Sequence, residues 1–169
     1  MTEILFYHLQ RQPIERVLPQ LLEKSLERGW RVVVQAASDE RIDALDAHLW
    51  TWRDDSFLAH GTDREAEAAN QPVLLTAQDH NPNGASVRFL IDGAPVPADA
   101  ASYQRIVLLF DGEDDEAVAA ARTRWTDAKA QGFDATYWQA DENGRWQKKA
   151  LSMIPKSGYR FSEQIMLHQ

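Results

Sequence analysis

"RIVLLFDGEDDEAVAAARTRWTDAKAQGFDATYWQA", Arg105 to Ala140, decides the fold. Arg105–Gly112 carries five consecutive apolar residues, Ile106 to Phe110. A run apolar on both alternating faces suits a strand buried inside a sheet. "EDDEAVAAARTRWTDAKAQGF" then reads as a helix, with acids at its start, cations toward its end and Gly132 at its C-cap. "DATYWQA", Asp134–Ala140, is the closing strand.

The same alternation appears upstream. "ILFYHL", Ile4–Leu9, reads as a buried strand, and Pro13 suits the first turn of a helix. Ile14, Val17, Leu18, Leu21, Leu22 and Leu26 follow at helical spacing up to Gly29. "RVVVQAA", Arg31–Ala37, is a β-branched strand, and "SDERIDALDAHLW" is a helix with Ser38 as N-cap. Strand–helix–strand–helix order predicts a parallel sheet with right-handed crossovers. The expected fold class is α/β: three layers, a mainly parallel sheet and helices on both faces.

The middle is less regular. Thr51–Gln71 reads as a structured loop and a polar segment, and "PVLLTA", Pro72–Ala77, as a short strand. "QDHNPNGAS" is turn chemistry, and "VRFLIDG", Val87–Gly93, is a further strand. After Asp134–Ala140 the chain turns at Asn143–Gly144 into a short edge strand. We expect one domain over residues 1–150. From Leu151 the composition changes, and residues 151–169 read as a C-terminal extension of unknown role.

The 169 residues carry a net charge of -8, which disfavours a general phosphate-backbone binder but leaves room for a local basic patch. There is no cysteine, so disulfides, thiolate zinc sites and a cysteine nucleophile are excluded. No basic, apolar leader opens the chain, and no apolar run is long enough for a membrane span. No P-loop, no G-x-G-x-x-G and no G-x-S-x-G occurs, and the five histidines form no metal-ligand spacing. No cofactor and no metal are expected.

Around the axis of the opening helix, Ala117, Ala120, Ala121 and Ala128 share one narrow face, with Arg124 at its edge. Val118, Arg122, Trp125 and Lys129 form the adjoining stripe. Cations near a helix end suit the macrodipole, and Trp125 can serve as core with Arg122 stacked on it. The same stripe also suits an apolar pocket rimmed by cations, to which a peptide ending in Phe and a carboxylate would bind. Asp134–Ala140 should bring Tyr137 or Trp138 close by. In "HLWTWRDDSFLAHG", Trp50, Trp52 and Phe57 either cover the end of the core or form a contact patch for a partner.

At these two segments the sequence resembles the chi subunit family of the bacterial DNA polymerase III holoenzyme. The resemblance rests on "FYHL", "GWRVVVQAASDERIDALDAHLW", "DDSFLAHG", "RIVLLFDGEDDEAVAAARTRWTDAKAQGF" and "YWQADENGRWQKKA". The ordered set L-W, S-F-x-x-H, R-x-R-W and G-F spans about residues 1–150. The resemblance implies a non-enzymatic cytoplasmic adaptor, with a fold like that of nucleotide-binding proteins but without a nucleotide site. It implies binding of the acidic C-terminal tail of single-stranded-DNA-binding protein by Arg122, Arg124, Trp125 and Lys129, with Trp138 near. It implies binding of a psi-like clamp-loader subunit by Trp50 and Phe57. Val118 stands where the family has a lysine, which thins the cationic rim. An α/β nucleotide-using or hydrolytic enzyme is the alternative, opposed by the missing phosphate loop. A direct nucleic-acid binder is the third reading, opposed by the net charge.

Overall fold

The computed structural model describes residues 2–52, 58–141 and 143–149. In chain order the elements are β1 (Glu3–Leu9), α1 (Ile14–Glu27), β2 (Val32–Gln35), α2 (Asp39–Thr51), β3 (Gly61–Thr62) and β4 (Val73–Thr76). They continue with β5 (Val87–Leu90), β6 (Arg105–Asp111), α3 (Asp115–Ala130), β7 (Asp134–Ala140) and β8 (Trp146–Lys149). The eight strands form one sheet in the order β3-β4-β2-β5-β6-β1-β7-β8. Neighbours are parallel throughout except the β7–β8 hairpin.

The central strands β1, β2, β4, β5 and β6 feed apolar side chains to both faces, so two cores form. Leu18 and Leu22 of α1 and Ile42 and Leu45 of α2 pack with Val32, Val34 and Val107 on one face. Val118, Ala121 and Ala128 of α3 pack with Ile4, Phe6, Ile106 and Tyr137 on the other. This is the expected three-layer α/β architecture. β3 lies inside the stretch expected to be loop and polar segment. Two residues carry no periodicity, and Gly61 and Thr62 become a strand only through parallel pairing with Leu74 and Leu75.

Two polar devices tie the layers together. Pro19 sits within α1 and has no N–H to offer the Glu15 carbonyl. Nε2 of His48 from α2 donates to that carbonyl instead, at 2.6 Å. Arg88, at the middle of the sheet, is fully buried. Its guanidinium donates to Gln35 Oε1 at 2.6 and 3.1 Å, to the carbonyls of Gln78 and His80, and to the Tyr103 hydroxyl. All these acceptors are neutral, and together they offset the desolvation of the charge.

Candidate docking site on the third helix

The third helix starts at Asp114, whose carboxylate accepts from the Glu116 and Ala117 amides. It stops at Gly132, whose φ of +86° suits a residue without a Cβ. Between these stops Val118, Ala121 and Ala128 are buried. Trp125 lies half-buried at the edge of that stripe and meets Phe6 edge to face, with centroids 5.3 Å apart. Lys129 is exposed and holds its Nζ 5.4 Å from the Trp125 ring centroid, in cation–π range.

Arg122 is half-buried on the same stripe. Burial lowers its guanidinium pKa, and the Tyr137 hydroxyl acts in the opposite sense. Tyr137 is fully buried, and burial raises its phenol well above the ordinary range despite Arg122. Behind it, the Tyr137 hydroxyl and His8 Nδ1 are hydrogen-bonded at 2.7 Å. Burial pushes His8 down to about 4, with Asp111 opposing, so the imidazole is neutral near pH 7. The layer under this face is therefore neutral, and the face itself carries the cations of Arg122 and Lys129. His8 and Tyr137 lie 129 residues apart, and no local spacing links them.

The other expected residues go elsewhere. Arg124 lies on the far flank of α3, where its guanidinium donates to the Gly93 carbonyl at 2.8 Å. Burial lowers its pKa as well. Trp138 does not join Trp125. Successive strand residues point to opposite faces, so β7 gives Ala135 and Tyr137 to the α3 core and turns Trp138 to the α1 face. There Trp138 stacks on Tyr7, with centroids 6.0 Å apart, and its Nε1 donates to Thr136 Oγ1. Trp50, at the end of α2, is 53% exposed and packs one side on the buried His60 at 4.5 Å. Both His60 nitrogens face oxygens, of Leu58 and Asp46. Phe57, the other half of the expected aromatic patch, lies outside the described residues, as does the extension 151–169.

β1 and β6 are neighbours, yet the chain leaves them for helices on opposite faces. Open α/β sheets keep their ligand crevice at such a switch point, and a cavity of about 850 Å³ lies here. Its floor includes Leu9, Leu90 and Leu109, and its lips carry Asp92, Asp111, Glu113 and Asp114. Arg11, Arg41 and Arg124 also line it. Arg41 is held by Glu15 at 2.9 Å and Asp92 at 2.8 Å, and Arg124 by the Gly93 carbonyl. This acid-rich rim opposes a phosphate ligand. Among the described residues no group of three or more His, Asp or Glu side chains is placed to hold a metal. No helix among them is long and apolar enough to cross a membrane.

The fold and this face define a doubly wound α/β protein with a cation-flanked aromatic on its third helix. The chain belongs to the DNA polymerase III chi subunit (HolC) family, whose model matches residues 1–136. It is also similar to a protein of Rickettsia prowazekii (strain Madrid E) named as a probable DNA polymerase III subunit chi. The two are 26% identical over 121 residues, which cover 66% of this chain and 71% of that protein.

Proposed function

We propose that this chain is a non-catalytic accessory subunit of the replicative polymerase that works in the cytoplasm and links the clamp loader to single-stranded-DNA-binding protein. Its family membership supports the replication role. The contact to single-stranded-DNA-binding protein is made through that protein's acidic, Phe-terminated C-terminal tail, at the face of Arg122, Trp125 and Lys129. The observation that carries this reading is the half-buried Trp125 with Lys129 over its ring and Arg122 on the same stripe, in a chain of net charge -8. Such a face offers apolar surface to a phenyl ring and two cations to carboxylates. Arg124 contributes from the flank, tied to Gly93, and Trp138 is left out because it faces the other side of the sheet. Trp50, with Phe57, provides the surface for a psi-like clamp-loader subunit.

Titration with an acidic peptide ending in Phe tests the reading. Burial of one Phe is worth about 1.5–3 kcal/mol, and each charge-assisted hydrogen bond about 1.5–3 kcal/mol. Association costs several kcal/mol in return, so a complex of about micromolar affinity is expected. Arg122→Ala should weaken it about tenfold while leaving the fold unchanged, and Trp50→Ala should leave peptide binding intact. Wild-type affinity in both Arg122→Ala and Trp125→Ala would remove the site from α3.

A further inference from the structure

Between the C-terminal half of α1 and strands β1, β7 and β8 lies a second groove, of about 420 Å³. It opens on the sheet face opposite the Trp125 face. Four aromatic side chains line it: Tyr7, Trp30, Trp138 and Trp146. All four are half-buried, so each keeps ring surface open to solvent. Tyr7 stands between Trp138 at 6.0 Å and Trp146 at 4.6 Å, which makes a continuous aromatic ledge. Trp30 carries the guanidinium of Arg28 at 5.0 Å and that of Arg105 at 4.9 Å.

Charge in the groove runs against the charge of the chain. Lys24, Arg28, Arg105 and Lys148 line it, against Glu3 and Asp134. Of these cations only Arg105 has a carboxylate within ion-pair distance among the described residues, Glu3 at 3.0 Å. Lys24, Arg28 and Lys148 are exposed. A chain of net charge -8 thus gathers cations beside a cluster of four aromatic side chains.

We propose that this groove binds single-stranded nucleic acid directly, with bases against the ledge of Tyr7, Trp138 and Trp146 and phosphates on Lys24, Arg28 and Lys148. Aromatic rings take any base by its π-face, and Lys and Arg track the backbone. A peptide strand fits less well. The strands that floor the groove pair on both sides, β1 with β6 and β7, and β7 with β1 and β8. Among the described residues a strand could therefore be zipped on only at the outer edge of β8, the last strand of the sheet, and not along β1 or β7. The acidic remainder of the surface confines the contact to this groove and keeps it weak and salt-sensitive. This site is independent of the peptide face on α3.

Fluorescence anisotropy with a fluorescein-labelled oligothymidylate of roughly a dozen nucleotides, at low salt, tests the assignment. Wild type should bind, with a slope of log affinity against log salt of about -2 to -3, as three or four neutralised phosphates on a single strand require. The double variant Lys24→Glu/Lys148→Glu changes two exposed side chains. It should lose at least tenfold in oligomer affinity, keep the wild-type circular dichroism spectrum and keep its affinity for the acidic Phe-terminated peptide. An abasic oligomer of equal length should bind at least tenfold more weakly than oligothymidylate, since stacking is lost. Absence of oligomer binding by wild type, equal binding by the double variant, or equal binding of the abasic chain would overturn the proposal. Loss of the acidic peptide in the double variant would overturn it too, by making the groove a peptide site.

Discussion

Gly112 follows β6 and presses against the buried His8 ring, so Gly112→Ala should unfold the protein more easily than its small size suggests. A methyl group at Gly112 would stand 1.8 Å from His8 Nε2, 2.0 Å from its Cδ2 and 2.8 Å from the Leu9 carbonyl oxygen. Carbon contacts are comfortable near 3.5 Å, so the ring must retreat by roughly 1.5 Å. It has little room to do so. Phe110 lies 5.1 Å away by centroid and Tyr137 5.8 Å, and Nδ1 is hydrogen-bonded to the Tyr137 hydroxyl. Forcing a methyl group into such a core costs about 1–3 kcal/mol. Breaking the His8–Tyr137 bond strands two buried polar groups, for about 1–3 kcal/mol more. The sum is about 2–6 kcal/mol. Equilibrium unfolding in urea, followed by circular dichroism near neutral pH, measures it. His8→Ala carries its own cavity cost and removes the ring, while the Leu9 carbonyl oxygen stays 2.8 Å from the added methyl group. In that background Gly112→Ala should cost less than in wild type by about 1 kcal/mol or more, the coupling that the double-mutant cycle reads. If Gly112→Ala costs the same in both backgrounds, or under about 0.5 kcal/mol in wild type, His8 is not what excludes a Cβ at this position.

The low pKa of His8 makes stability depend on acid. The unfolded chain protonates this side chain near 6.5 and the folded chain only near 4, so between those values the unfolded state binds more protons. The contribution is full above pH 6.5 and is lost as pH falls through this window, up to about 3 kcal/mol. Urea titrations at a series of pH values should show the decline, and His8→Leu should flatten it. A third expectation concerns Arg88. Arg88→Leu removes the donors from Gln35, Gln78, His80 and Tyr103 at once and should cost about 3–5 kcal/mol in the same assay. Arg88→Lys should recover only part of that loss, because an ammonium cannot span the same fork of acceptors.

The sequence alone determined the architecture. Val32–Val34 and Ile106–Phe110 are apolar on both alternating faces, and only a sheet covered on both sides can bury such runs. Ser38, the run of acids before the third helix and Gly132 marked helix ends by chemistry that acts within a few residues. The stripe of Arg122, Trp125 and Lys129 was equally legible, because helical spacing alone sets it. Tertiary structure decided what each stripe meets. In β7, Ala135 and Tyr137 on one side and Thr136 and Trp138 on the other each pair a small residue with an aromatic, so alternation alone left open which side α3 would cover. Pairing with β1 turned Tyr137 inward to His8 and Trp138 outward to Tyr7. Likewise Arg124 found Gly93, Pro19's orphaned carbonyl partner found His48, and Gly61 and Thr62 found β4. Local patterns report the energetics of one element at a time. The partners came from strand order and crossover, which bring together residues tens to more than a hundred positions apart, and no periodicity along the chain encodes that distance.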